Sequence, residues 1–207
     1  MAQTVDLHPF ISALEQGELV LTPGLRLARA LTAAWVEKQL EATGKPVVEP
    51  SIFPVDGWLE RLWAERVEFG ELPPARLLNR LEERLLWQQI IEEDTEKWGD
   101  FQLLQPAAAA ESALLSRQAL LFHADNLDTA VASGGFQFDS DCATFLRWLR
   151  VFEQRLEDRN WLTRPDAYRQ LLAVCAPDER PIYLGFCHHL PPLTMRVLHQ
   201  MGCLTFV

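Results

Sequence analysis

The amino-acid sequence predicts an α/β fold in which a small parallel sheet is interrupted by a large all-helical insertion. Three observations predict it. Short apolar runs at residues 19–22, 182–184 and 204–206 have the length and composition of buried strands. Helical patterns separate these runs, and strands joined through helices form parallel sheets, because a parallel connection needs a crossover of about a dozen residues or more. From residue 73 to residue 176 helical periodicity continues with no convincing strand.

Each element has a local reason. Residues 7–16 read as a short helix stopped by Gly17. The run Glu18-Leu19-Val20-Leu21-Thr22 follows as a buried strand, and Pro23-Gly24 turns out of it. Over residues 25–43, Leu27, Leu31, Ala34, Trp35 and Leu40 recur at helical spacing, and Gly44 ends the run. Residues 47–53 are extended, since Pro46, Pro50 and Pro54 disfavour helix. Asp56 can cap a helix over 57–69, whose Trp58, Leu59, Leu62 and Trp63 mark a buried face. Four further helices are expected at 74–98, 107–131, 141–159 and 164–175, with loops at Ser133-Gly134-Gly135 and at 160–165. The strand signal returns at 181–185. Pro191-Pro192 opens a helix over 193–201, Gly202 ends it, and 203–207 is a last strand pattern. The domains are therefore an α/β core of residues 1–70 plus 177–207 and a helical insertion of residues 71–176. A parallel strand with no following helix to cover it reads as the edge of a fragment of a longer protein.

Composition narrows the function. The chain has 207 residues, 48% of them apolar and 23% charged, the balance of an ordinary globular domain. No apolar run approaches the roughly 18 residues of a membrane span, and MAQTVDLHPF has neither the basic nor the apolar region of a signal peptide, so a cytoplasmic protein without membrane partners is expected. Cys142, Cys175, Cys187 and Cys203 are scattered with no CxxC pair, which fits a reducing compartment. The formal net charge of −10 argues against a free-standing DNA binder, because phosphate contacts supply most non-specific affinity. No G-x-S-x-G, H-E-x-x-H or phosphate-cradling G-x-x-x-x-G-K-[ST] motif occurs. Cys187, His189, His199 and Cys203 lack the spacing of a zinc module, so no metal or other cofactor is expected. Glu82, Glu83, Glu92, Glu93 and Asp94 mix with Arg80 and Arg84 at salt-bridging separations and read as a solvated helix face.

Three segments carry a resemblance. Residues 19–31, LVLTPGLRLARAL, resemble the strand-turn-helix with which superfamily-one helicases touch single-stranded DNA. Residues 50–62, PSIFPVDGWLERL, resemble the segment that follows it in those proteins. Residues 181–201, PIYLGFCHHLPPLTMRVLHQM, look like the segment that carries their magnesium-binding acidic pair. Together they are similar to the N-terminal region of AddB-like bacterial DNA-repair proteins, large chains with a degenerate helicase region followed by a PD-(D/E)XK nuclease domain. The resemblance implies a sheet of the P-loop-helicase, superfamily-one type. It also implies lost hydrolysis, because Gly185-Phe186 follow Leu184 where the acidic pair belongs, and phosphoryl transfer needs both a backbone cradle and a metal-holding carboxylate.

On that reading the chain is no enzyme. It is an inactivated structural and DNA-guiding module of a recombination-repair nuclease protein, with weakly bound single-stranded DNA, a helicase-nuclease partner subunit and the C-terminal domains of its own parent chain as partners. Thr22, Arg26 and Arg29 are candidate contacts to the DNA backbone, against a solvated helix face for the arginines. Phe53 and Trp58 are candidates for stacking on bases, against core packing with Leu59 and Leu62. The competing reading is an acidic helical protein-interaction domain with no DNA role.

Overall fold

The computed structural model describes residues 7–98, 105–123, 140–176 and 180–207. It forms two compact units: one of the described residues up to Arg66 with Leu171–Leu190 and Met195–Val207, the other of Val67–Gln170 with Pro191–Thr194.

The first unit is built on a four-stranded parallel sheet. A single 3-10 turn (His8–Phe10) and the short helix α1 (Ile11–Glu15) lead to β1 (Leu19–Thr22). Gly17, with φ of 72°, supplies the left-handed residue that ends α1, a conformation glycine adopts without strain. Helix α2 (Leu25–Thr43) follows and stops at Gly44, then β2 (Ile52–Pro54) and α3 (Val55–Glu68). Asp56 lies in the first turn of α3 rather than capping it. After the second unit come β5 (Pro181–Leu184), helix α8 (Pro192–Met201) and β6 (Cys203–Phe206). The strand order is β2-β1-β5-β6, every neighbouring pair parallel. The three strands expected from the apolar runs thus share one sheet, with β2 as its fourth member.

Register divides the sheet into two faces. Val20 aligns with Ile52 and Tyr183, and this face buries Phe10, Ala13 and Leu14 from the N-terminal segment and Ala28, Leu31 and Trp35 from α2. The buried positions of α2 recur every three or four residues, as a helix with one inward stripe requires. Leu19, Leu21, Phe53, Ile182 and Leu184 share the other face.

The second unit is mostly helical: α4 (Arg80–Trp98), α5 (Pro106–His123), α6 (Ser140–Arg159) and the start of α7 (Arg164–Val174). Glu83, Leu86, Trp87, Ile90 and Ile91 form the inward stripe of α4. Trp87 stacks on Phe152 of α6 with ring centroids 4.1 Å apart, at the centre of a core that includes Leu114, Leu149 and Leu156. The unit is not all-helical as the sequence suggests. Two-residue strands β3 (Arg76–Leu77) and β4 (Trp161–Leu162) pair in parallel, and two residues are too few to write an alternating pattern. They also explain why α4 begins at Arg80 rather than 74. Asn79 Oδ1 accepts hydrogen bonds from the Leu81 and Glu82 amides, and Glu82 Oε2 accepts from the Asn79 amide, a reciprocal cap that fixes the start. The Ser133-Gly134-Gly135 loop and the end of the helix expected over 107–131 lie outside the described residues. No described helix is long and apolar enough to cross a membrane.

The turn between α8 and β6 gives a stability test. Gly202 is packed so closely that a Cβ there would collide with the Arg180 carbonyl oxygen and sit 2.9 Å from Ile182 Cδ1. Gly202→Ala therefore destabilises the protein by about 1–3 kcal/mol, the usual cost of overpacking, read as a lower urea midpoint with unchanged slope.

Candidate functional site

In an open α/β sheet the ligand edge lies at the C-terminal ends of the strands, where the strand order reverses. Here the reversal falls between β1 and β5: the chain passes from β1 outward to β2, then returns to place β5 and β6 on the other side. The crevice at that point is filled. Gly185 N–H donates to the Leu21 carbonyl at 2.8 Å, and a Cβ on Gly185 would lie 2.8 Å from Phe10 Cζ. The buried Cys187 thiol sits beside the Leu21 and Gly185 carbonyl oxygens at 3.7 and 3.5 Å, and burial pushes its pKa up to about 11. Phe186 takes a positive φ of 59°, with its N–H donating to the Val207 carbonyl at 3.0 Å. A ring, a neutral thiol and closely approaching backbone occupy this edge.

The five sequence candidates separate in space. Thr22 is fully buried, and its hydroxyl lies 3.1 Å from the Gly24 carbonyl and 3.4 Å from that of Phe53, so it ties the β1 turn to β2. Arg26 and Arg29 are exposed on the outer face of α2, close after β1, with Ala28, Leu31 and Trp35 turned inward. Phe53 and Trp58 are half-buried and line a cleft of about 520 Å³ that reaches the N-terminal ends of β1 and β5. Its floor includes Leu19, Ile182 and Met201, and α3 contributes Arg61, Leu62 and Glu65 alongside Trp58. The Arg61 guanidinium lies 5.9 Å from the Phe53 ring centroid and is held by Glu65 at 2.9 Å. Arg180, just before β5, also lines the cleft. The sequence reading omitted Arg61 and Arg180; the signal for Arg61 was its position three residues after Trp58, on the same side of α3.

A second polar cluster lies inside the helical unit. Arg117 of α5 is fully buried. Its guanidinium donates to Glu153 at 2.7 and 3.2 Å, to the Thr163 hydroxyl at 2.7 Å and to Asp166 at 3.1 Å. Burial works against its charge, but Asp166 and Glu153 outweigh that and hold the pKa above the ordinary arginine value. Asp166 also accepts from the Thr163 amide at 3.0 Å, capping α7. Glu83 corrects the reading of its segment as a solvated face. It is only 2% exposed, because it falls on the stripe of Leu86, Trp87 and Ile90, and its Oε1 has no hydrogen-bond partner. Burial raises its pKa to about 7, against the partial opposition of Arg117 and Gln118. The neighbouring acids behave differently: Asp94 accepts from Arg147 at 2.7 Å and from Trp148 Nε1 at 2.8 Å, and the hydrogen bond from Arg147 holds its pKa low.

Among the described residues no group of three or more His, Cys, Asp or Glu side chains is placed to hold a metal ion. Cys187 is buried, while His189, His199 and Cys203 are exposed. No protein-family model and no curated protein matches the chain.

Glu83 predicts a pH dependence of stability. Its folded-state pKa lies above the ordinary 4.5, so its contribution is fully present below about 4.5 and is lost as the pH rises through about 7. Glu83→Gln is expected to raise stability at pH 8 by about 1–3 kcal/mol and to flatten the curve between pH 5 and 8. Urea unfolding of parent and variant at several pH values checks this. Asp94, with a lowered pKa, loses its contribution only under more acidic conditions.

Proposed function

We propose that this chain is a helicase-like module of the superfamily-one type without nucleotide hydrolysis, serving as a structural and DNA-guiding part of an AddB-like recombination-repair nuclease protein. The observation that carries the reading is the filled crevice between β1 and β5. Phosphates bound at a switch point need free backbone N–H groups and room for close approach. Here the Gly185 N–H is spent on Leu21, and Phe10 and Cys187 take the space. A parallel sheet with a mostly helical insertion before β5 agrees with the helical subdomain that the sequence resemblance implies before the last motif segment. Any ATP-driven motion then belongs to a partner subunit, any cutting to another domain of the parent chain, and the setting is cytoplasmic.

Guidance of DNA falls to the exposed face of α2. Arg26 and Arg29 can each neutralise a phosphate of a strand passing the C-terminal edge of β1. Thr22 supports that surface from within by fixing the turn before α2. The competing reading, a protein-interaction domain with no DNA role, draws on one observation: Leu81 and Leu85, one helical turn apart on α4, are 56% and 51% exposed.

Two measurements test the reading. ATP with magnesium is expected neither to turn over nor to raise the melting temperature, whereas a bound ligand at a hundred times its dissociation constant adds about 2.7 kcal/mol; an ATP-dependent thermal shift refutes the proposal. Single-stranded DNA should bind no tighter than roughly micromolar at physiological salt, given the net charge of −10. Replacing Arg26 and Arg29 together by Ala should reduce the salt slope by about two, one for each lost phosphate contact. Fluorescence anisotropy at several salt concentrations reads this, and coincident slopes favour the interaction domain.

A further inference from the structure

The cleft that reaches the N-terminal ends of β1 and β5 lies on the sheet face opposite α2 and has chemistry of its own. We propose that it seats one unstacked base of a single nucleic-acid strand, with the adjoining phosphate at the Arg61 guanidinium. The proposal rests on the DNA-guiding reading and adds a second point of contact to it.

Size and lining carry the inference together. The cleft encloses about 520 Å³, within the roughly 300–1,000 Å³ of small-molecule sites. Its walls offer two half-buried aromatic side chains, Phe53 and Trp58, over an aliphatic floor. Every base has a π-face, so such walls accept bases without regard to sequence. A purely apolar guest would use these walls but would have no use for the cations. Arg61 spends its Nε on Glu65 at 2.9 Å, which orients the guanidinium above Phe53 and leaves the terminal nitrogens for another acceptor. Arg180, also exposed, lines the same cleft. Of the two carboxylates of the lining, Glu65 is paired with Arg61, which lessens its repulsion of a phosphate, whereas Glu18 accepts from the Tyr183 hydroxyl with one oxygen and has no partner for the other. The combination of stacking surface and guanidinium groups is the one by which proteins hold single strands.

The test uses the unaltered chain first. A fluorescein-labelled oligothymidylate with 5-iodouracil in place of some thymines is irradiated with the protein, and the cross-linked residues are mapped by mass spectrometry. Cross-links at Phe53 or Trp58 are expected. Trp58→Ala should then weaken binding of the same oligonucleotide by about five- to a hundredfold, the worth of one stacked base. Arg61→Glu, on an exposed side chain, should weaken it with the melting temperature maintained. Cross-links confined to α2, with the cleft variants binding as the parent does, overturn the cleft while leaving DNA guidance in place. Absence of any oligonucleotide binding overturns both.

Discussion

Parallel pairing is the constraint from which the α/β unit follows. A strand of four residues such as β1 offers few backbone hydrogen bonds, and two parallel strands cannot be joined by a tight turn. Each must be reached by a crossover, and the crossover must cover one face of the sheet. Helix α2 does this between β1 and β2, with Ala28, Leu31 and Trp35 against the face of Val20 and Ile52. The same constraint places the long excursion from β2 to β5 at a crossover, where an added folded unit can be accommodated without breaking a ladder. It also concentrates close backbone approach at the β1–β5 junction, where Gly185 lies against Phe10.

The helical unit is organised by a different force. Arg117 has lost its hydration and can remain charged only because Glu153, Asp166 and Thr163 surround it. Those partners come from α6 and from the start of α7, so a single guanidinium ties three segments in fixed geometry. Removing both carboxylates would leave an uncompensated buried charge, which costs far more than an exposed ion pair contributes. Glu83 beside it is the surplus acid: with Glu153 and Asp166 already satisfying the cation, a further negative charge there has no adequate partner.

Much of the fold was legible because its elements carry long or distinct patterns. Nineteen-residue helices such as α2 and α4 repeat their buried stripe several times, and the runs of β1, β5 and β6 are bounded by glycine and proline. What stayed hidden had no local signal. The β3–β4 pair joins Arg76 to Trp161 by two residues on each side, and only tertiary pairing defines it. Burial of Glu83 was in principle readable from its spacing to Leu86 and Trp87, but its charge and the acids around it pointed outward. At the candidate site, sequence grouped Thr22 with Arg26 as surface contacts, whereas the hydroxyl is consumed inside the turn. Nor does sequence spacing reveal that Phe53 and Trp58 share a cleft with Arg180, which lies just before a strand more than a hundred positions later.

The small β3–β4 ladder has a bearing on how the chain reaches this structure. Bringing β5 beside β1 closes a long loop, and the entropic cost of closure grows only with the logarithm of its length. By pairing Arg76 with Trp161, the helical unit draws its own two ends together, so that once it has formed, the free chain left between β2 and β5 is roughly a third as long. The saving is about 1 kcal/mol, small beside the whole but delivered to the slowest kind of contact, the non-local parallel pair. An order of events in which the excursion condenses first and the sheet is completed around it is therefore the faster route.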